Sequence, residues 1–155
     1  MLIPYLDRGN YLGIEKHEPI LKAGLDEEIS SDVVREKAPE FVISGQFEFA
    51  QFSKSPDVCI AQSLFTHLNP SAIKLCLSNL VNFVRPGCRF YATFFEAKWP
   101  RIYPFANSHS HRTFTYTQRQ MLGFGRNVGW DAEYIGDWNH PRGQKMVLFT
   151  KSALR

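Results

Sequence analysis

The sequence has few cysteines and no apolar run long enough to cross a membrane. Its three cysteines, Cys59, Cys76 and Cys88, show neither CxxC nor zinc-finger spacing. Each lies in an apolar segment, so we expect reduced, buried thiols in a cytoplasmic protein. No stretch of about 18 apolar residues occurs, which argues against a membrane span. Residues 1–6 are too short for a signal peptide and lack its charged start.

Strong charge, internal repeats and low-complexity linkers are also absent. The chain of 155 residues carries 18 Lys and Arg against 15 Asp and Glu, a net charge of +3. This balance is too mild to indicate a dedicated nucleic-acid binder, and no nucleic-acid partner is expected. The length fits one domain covering residues 1–155, and thirteen phenylalanines predict a bulky core.

The order of predicted elements indicates an α/β fold. Short apolar segments predict strands at residues 11–15, 41–44, 57–63, 89–95, 131–137 and 145–150. The first helix has Pro19 in its first turn, and the second begins after Asn69-Pro70 and ends at Pro86-Gly87. The third is capped by Thr115 or Thr117. Apolar side chains predict the buried side of the second helix: Ile73, Leu75, Leu77, Leu80, Val81 and Val84.

This alternation predicts a three-layer, Rossmann-like arrangement around one mixed sheet. Strands that alternate with helices favour a mainly parallel sheet with helices on both faces. The last two strands are joined by residues 138–144 and read as a C-terminal antiparallel hairpin. Residues 96–112 form a long irregular stretch, and loops of that length in compact domains are usually functional or mobile.

Four passages carry a resemblance to a known family. Tyr-Leu-Gly-Ile-Glu ends on Glu15, Asp57 begins a strand that runs to Ser63, Arg85-Pro86-Gly87 precedes another strand, and residues 129–144 form the closing hairpin. In this order and spacing the chain resembles a class I S-adenosylmethionine-dependent methyltransferase. The resemblance implies that fold, with S-adenosylmethionine as the cofactor.

The first βα unit of that family is missing from the sequence. The family holds its cofactor with a Gly-x-Gly-x-Gly turn, which permits close backbone approach and aims a helix N-terminus at the ligand. Gly9 and Gly13 are the only glycines before Gly24, and residues 1–6 match only the end of the helix that follows the turn. The chain is therefore expected to be a truncated methyltransferase-like domain.

The missing strand normally lies between the Glu15 strand and the Asp57 strand, so its loss would leave two edges unpaired. Exposed edges promote aggregation unless they are covered. The two strands could pair directly, a second copy could cover the gap as a homodimer, or the chain could be an artificial fragment. We favour direct pairing or a homodimer.

The resemblance assigns cofactor-binding roles to Glu15, Phe47, Glu48, Ser63 and Phe65. Glu15 would accept hydrogen bonds from the ribose hydroxyls, although it also fits a solvated acid at a strand end. Phe47 or Phe49 would stack on the adenine beside Glu48, although both rings also fit the core. Ser63 and Phe65 follow a strand at the sheet edge where α/β proteins bind ligands.

Histidines and one arginine predict the substrate side. His109, His111 and His140 suit a polar rim, and Arg142 matches a carboxylate or phosphate group, or else simply shapes the turn. His67 is a weak candidate for a general base. His-x-His raises the question of a metal, but no acid or cysteine stands at a suitable spacing, so no metal is expected.

Two main hypotheses follow from the missing turn. The first is a methyltransferase-like domain without independent catalytic activity, which persists as a binding or oligomerising module. The second is an active S-adenosylmethionine-dependent methyltransferase that acts on a small molecule. A variant of the second is an enzyme whose missing strand comes from another chain. Methyl transfer depends mostly on proximity and alignment, so the lack of a catalytic motif does not exclude activity.

Overall fold

The chain divides into two compact units, which are described separately. The computed structural model describes residues 2–103, 108 and 113–153. Unit 1 comprises Met1–Pro56 and unit 2 comprises Asp57–Arg155. The single domain expected from the length stays a prediction.

Unit 1 contains two parallel strands and two helices. Its strands pair from Leu12 opposite Glu40 to Glu15 opposite Ile43. A serine, Ser30, caps the second helix by accepting from the Val33 N–H at 3.4 Å. The elements are a 3-10 helix Ile3–Tyr5, β1 Leu12–Glu15, α1 Glu18–Glu28, α2 Ser31–Lys37, β2 Glu40–Ile43 and a 3-10 helix Phe49–Gln51.

The described part of unit 2 contains a mixed sheet of five strands and two helices. The strand order is β3-β4-β7-β6, with β5 pairing the end of β4. β3 and β5 run parallel to β4, whereas β7 is antiparallel to both β4 and β6. The elements are β3 Val58–Ala61, α3 Pro70–Phe83, β4 Arg89–Glu96, β5 Thr115–Tyr116, α4 Gln118–Arg126, β6 Trp130–Asp137 and β7 Lys145–Lys151.

Side chains fix both ends of α3 and the start of α4 in unit 2. Asn69 caps α3 by accepting from the Ala72 N–H at 2.8 Å, and Thr117 forms a capping box with Gln120 at the start of α4. The ammonium group of Lys151 donates to the carbonyls of Val81 and Val84 at 2.6 and 2.7 Å. It thereby satisfies carbonyl groups at the end of α3 that have no partner within the helix.

The core of unit 2 is built from aromatic rings. Phe90 on β4 lies within 5.9–6.3 Å of the rings of Phe65, Phe149 and Trp130, measured between centroids. The Trp130 indole donates to the Leu77 carbonyl of α3 at 2.9 Å, which ties β6 to that helix. Gly125 brings α4 close to the sheet, because a Cβ atom there would overlap the Phe149 ring.

The three cysteines are free thiols in unit 2. Cys76 and Cys88 are buried, whereas Cys59 is half-buried. The sulfur atoms of Cys59 and Cys88 are 3.9 Å apart. Burial raises the pKa of the Cys76 thiol to about 12, so this sulfur stays protonated at neutral pH.

The fold class expected from the sequence is confirmed as a mixed α/β fold with parallel and antiparallel strands. The helix after Asn69 and the C-terminal hairpin begin within one residue of their expected positions. The prediction that Leu75 is buried is wrong, because its side chain on α3 is 37% exposed. The short helix α2 and the two-residue strand β5 were not predicted.

Direct pairing of the Glu15 strand with the Asp57 strand is wrong for the described part of the chain. There, β1 pairs only with β2 and β3 pairs only with β4, in two separate sheets. Both strands have four residues, so direct pairing would form only a few ladder hydrogen bonds. No helix in the described residues is long and apolar enough to cross a membrane.

Candidate functional site

Glu15 ends β1 and turns the chain away from the sheet. One carboxylate oxygen, Oε1, accepts from the backbone N–H groups of Lys16 and His17 at 2.8 and 2.9 Å. These bonds fix the side chain against its own turn. Among the described residues no donor contacts the other oxygen, Oε2, which therefore stays available as an acceptor.

A turn organised by Ser44 follows β2 at the same edge of the unit 1 sheet. The Ser44 N–H donates to the Glu15 carbonyl at 2.9 Å, which joins the ends of β1 and β2. Ser44 Oγ accepts from the N–H groups of Gln46 and Glu48, and its hydroxyl donates to the Glu48 carboxylate at 2.8 Å. A buried serine thus holds Glu48 beside the strand ends.

Phe47 lies within this turn with its backbone in the left-handed region, at φ 56°. A non-glycine residue there is strained and is held by its surroundings. Its ring stacks on Phe49 with the centroids 6.3 Å apart. Phe49 is buried, whereas Phe47 is half-buried. The structure therefore brings Glu15, Phe47 and Glu48 together at one edge.

Ser63 occupies the corresponding position in unit 2, two residues after β3. Its backbone is also left-handed, at φ 60°, and its N–H donates to Thr93 Oγ1 at 2.7 Å. The Thr93 hydroxyl donates to Gln144 Oε1 at 2.7 Å, and Gln144 Nε2 donates to Ser63 Oγ at 2.9 Å. This closed network joins the turn after β3 to Thr93 within β4 and to Gln144, the residue before β7, and Gln144 has no exposed surface.

Sequence reasoning missed Thr93 and Gln144. Gln144 belongs to the hairpin passage that carried the family resemblance, but nothing local marks it as a partner of a residue 81 positions away. Phe65, in contrast, lies in the core with no exposed surface and its ring edge-on to Phe90. It presents no surface to a ligand, and we leave it out of the proposed site.

The hairpin loop carries the residues expected on the substrate side. His140 stacks on Trp138 at 5.0 Å between centroids, and His140 Nδ1 accepts from the Arg142 N–H at 3.2 Å. The exposed Arg142 guanidinium lies 5.7 Å from the centroid of the Phe95 ring, near the end of β4. The loop therefore presents one cation and two stacked rings beside this strand end.

Of the three remaining candidate histidines, only His67 lies within the described residues. His67 is half-buried, and its N–H donates to the Leu64 carbonyl in the turn after β3. His109 and His111 lie outside the described residues. Within the described ranges no three side chains of His, Cys, Asp or Glu come together as a metal site.

Two further polar groups lie near the hairpin. The Tyr134 hydroxyl donates to Glu96 at 2.8 Å; burial and this carboxylate raise the pKa of Tyr134 to about 12. The buried Trp138 Nε1–H finds no acceptor in residues 2–103, 108 and 113–153. At neutral pH Tyr134 is therefore a neutral donor to Glu96.

The chain matches no protein-family model and no curated protein. Its structure is similar to that of the glycopeptide N-methyltransferase MtfA complexed with S-adenosyl-L-methionine, with a TM-score of 0.69 and 13% identity. That match covers 92% of this chain and 77% of MtfA. DesVI of Streptomyces venezuelae gives a TM-score of 0.64 at 10% identity, covering 91% of this chain and 74% of DesVI.

A third similar structure is the magnesium protoporphyrin IX methyltransferase ChlM of Synechocystis PCC 6803 with bound S-adenosylhomocysteine. Its TM-score is 0.60 at 12% identity, and the match covers 91% of this chain and 63% of ChlM. At these identities the likeness concerns the fold. The resemblance to the class I methyltransferase fold is thereby confirmed.

Proposed function

We propose that this chain is a methyltransferase-like module that transfers no methyl group by itself. The observation that carries the proposal is the strand pairing. Among the described residues, β1 is paired only with β2 and β3 only with β4. No further strand presents a glycine-rich turn to a cofactor, and the sequence contains no Gly-x-Gly-x-Gly. A cofactor with a charged methionine part needs such close backbone contacts.

The second candidate is an active S-adenosylmethionine-dependent enzyme, and the edge of unit 1 favours it. Glu15 Oε2 is available to accept from ribose hydroxyls, and Glu48 to accept from an adenine amino group. The half-buried Phe47 ring would stack on the base. When bound, S-adenosylmethionine would supply the electrophilic methyl group. The chain's own residues would hold and orient the two reactants, which accounts for most of the catalysis in such transfers.

On the substrate side, Arg142 and His140 favour a small acceptor with an acidic group. Arginine matches carboxylate and phosphate geometry, and the Arg142 guanidinium lies over the Phe95 ring. His67 is a weak candidate for the base that a protic acceptor requires. A second chain that supplies a strand to β1 or β3 would complete the enzyme, and the cytoplasm is the proposed location.

Calorimetric titration of the purified chain with S-adenosylhomocysteine separates the two candidates. We expect no binding at millimolar ligand while circular dichroism shows a folded protein. Micromolar binding would overturn the inactive module and support the enzyme. In that case Glu15→Gln should weaken binding, whereas Glu18→Gln, the same change on the exposed surface of α1, should not.

We also propose that a second copy of the chain covers the open edge of β3. Val58 and Ile60 on this strand are 45% and 59% exposed, and an unpaired apolar edge favours pairing with another chain. Light scattering during gel filtration should show a dimer, and Ile60→Lys should lower the mean mass because it removes the β3 contact. Ile135→Lys should not do so, because Ile135 lies at a register shift that interrupts the edge strand β6. A wild-type monomer would refute this interface.

A further inference from the structure

Although the net charge of the whole chain is small, its two units carry net charges of opposite sign. Residues 1–56 contain ten acids and six bases, which gives a net charge of −4. Residues 57–155 contain five acids and twelve bases, which gives a net charge of +7. Charge asymmetry of this size indicates an interaction with an oppositely charged surface.

The positive charge of unit 2 borders an open groove beside α3 and α4. We call it the basic groove; it has a volume of about 390 Å³ and is continuous through Arg119 and Gly123 with a second hollow of about 370 Å³. Neither α3 nor α4 contains an acidic residue. Residues that line the two hollows include Lys74, Pro100, Arg119, Gly123, Phe124 and Arg126.

The floor of the basic groove is apolar and its rim is cationic. The Lys74 ammonium lies 5.7 Å from the centroid of the Phe124 ring. Pro100 stands beside the exposed Trp99, which is 80% accessible. The three cationic residues are Lys74, Arg119 and Arg126, and none of them forms an ion pair with a described residue. A floor of this kind suits an apolar side chain flanked by acids better than the backbone of a nucleic acid, which needs closely spaced polar contacts.

Gly123 lies where the two hollows meet. A Cβ atom there would have no neighbour within 4 Å, and its φ lies outside the left-handed region. The fold therefore does not require glycine at this position, although glycine destabilises a helix relative to alanine. A glycine at this open position would permit the close approach of another backbone.

Unit 1 presents a matching helix. None of the residues of α1, Glu18–Glu28, is buried, and Ile20 is 61% exposed. Ile20, Ala23 and Glu27 share one face at helical spacing. The helix carries a single base, and its acids are Glu18, Asp26, Glu27 and Glu28.

We propose that α1 of a second copy of this chain docks in the basic groove. Ile20 would contact the floor formed by Phe124 and Pro100, while Asp26 and Glu27 would face Arg119 and Arg126. The two arginines are seven residues apart on α4, which is about 10 Å along a helix. The acidic end of α1 therefore lies within reach of both cations. This contact does not depend on cofactor binding.

The test is charge reversal in the full chain, measured by sedimentation velocity in an Ile60→Lys background that removes the β3 edge. Arg119→Glu with Arg126→Glu should weaken self-association by about tenfold or more, because like charges would then meet. Asp26→Arg with Glu27→Arg should do the same, and the combination of all four should restore association. Arg89→Glu, a single reversal away from the groove, should have little effect.

Gly123→Ala separates docking from folding. It should raise the midpoint of thermal unfolding by about 2–4 °C, because alanine favours the helix, and it should weaken self-association. A monomer at all concentrations would overturn the proposal. So would a combined variant that stays dissociated, or Gly123→Ala with undiminished association.

Discussion

Helices in the two units differ in how far they are buried. α1 and α2 in unit 1 bury none of their residues, whereas α3 in unit 2 buries five of fourteen, namely Ile73, Cys76, Leu77, Leu80 and Val81. Unit 2 offers a five-stranded sheet for packing, and unit 1 offers two strands of four residues. Because helix stability comes mainly from packing of an apolar face, the units should respond differently to equivalent mutations.

All three tryptophans, Trp99, Trp130 and Trp138, lie in unit 2. Their fluorescence therefore reports unfolding of unit 2, whereas far-ultraviolet circular dichroism reports both units. Comparison of the two signals therefore shows which unit a mutation destabilises.

The largest expected effect is that of an aromatic truncation in the unit 2 core. Phe90→Ala should destabilise the protein by about 3–5 kcal/mol, because it leaves a cavity among three rings. Phe41→Ala removes a half-buried ring that contacts only Tyr11 among the described rings, and should lower the stability by less than about 2 kcal/mol. Urea unfolding followed by both signals provides the measurement. Equal shifts of the tryptophan transition would contradict the proposed difference.

A smaller effect is expected at the end of α3. Lys151→Met should lower the stability by about 2 kcal/mol, because two carbonyls lose a charged donor. Lys145→Met removes only the 2.9 Å ion pair with the exposed Asp137 and should change the stability less than Lys151→Met does. Thermal unfolding of both variants measures the loss of stability. A larger loss of stability for Lys145→Met would refute the capping role of Lys151.

A smaller difference in stability is expected between the variants of the two residues that cap helix N-termini, Asn69 in unit 2 and Ser30 in unit 1. Asn69→Ala should cost about 1 kcal/mol and shift the tryptophan transition, because Asn69 caps the packed helix α3. Ser30→Ala removes a long 3.4 Å contact at α2 and should leave that transition unchanged. Chemical denaturation of the two variants, followed by tryptophan fluorescence, measures these shifts. A shifted tryptophan transition in Ser30→Ala would show that the two units unfold together.

The smallest expected effect concerns pH at the hairpin. The bond from Lys145 and the N–H of Asn139 lower the pKa of Asp137 below its ordinary value of 3.8. A depressed pKa contributes stability above the unfolded value, and this contribution is lost as the pH falls below about 4. Titration of the Asp137 carboxyl by NMR should show that Lys145→Met raises this pKa. An unchanged value would argue against the contact.

Local signals in the sequence predicted much of the fold. Asn69-Pro70 marked the start of α3 because a capping side chain and a proline act on adjacent backbone groups. A short apolar segment marked β4, and the spacing of β6 and β7 marked the hairpin. In contrast, α2 has seven residues, too few for a helical periodicity to appear, and β5 is defined only by its pairing with β4.

For the candidate site, local prediction reached some residues and not others. Glu15, Phe47 and Glu48 follow strand ends, and parallel pairing of β1 with β2 brings such positions to one edge. Phe65 has the same local pattern, but its side chain points into the core. The sequence does not show which way a ring points after a strand, because the choice depends on distant partners such as Phe90.

The sequence by itself determined the order of the elements other than α2 and β5, the cap of α3 and the absence of a glycine-rich turn, since these depend on neighbouring residues. The tertiary structure decided that β1 and β3 lie in separate sheets and that Gln144 locks the turn at Ser63. It also placed the basic groove beside α3 and α4. These features depend on contacts between residues tens of positions apart, whose free energy is gained only when strands and helices have packed.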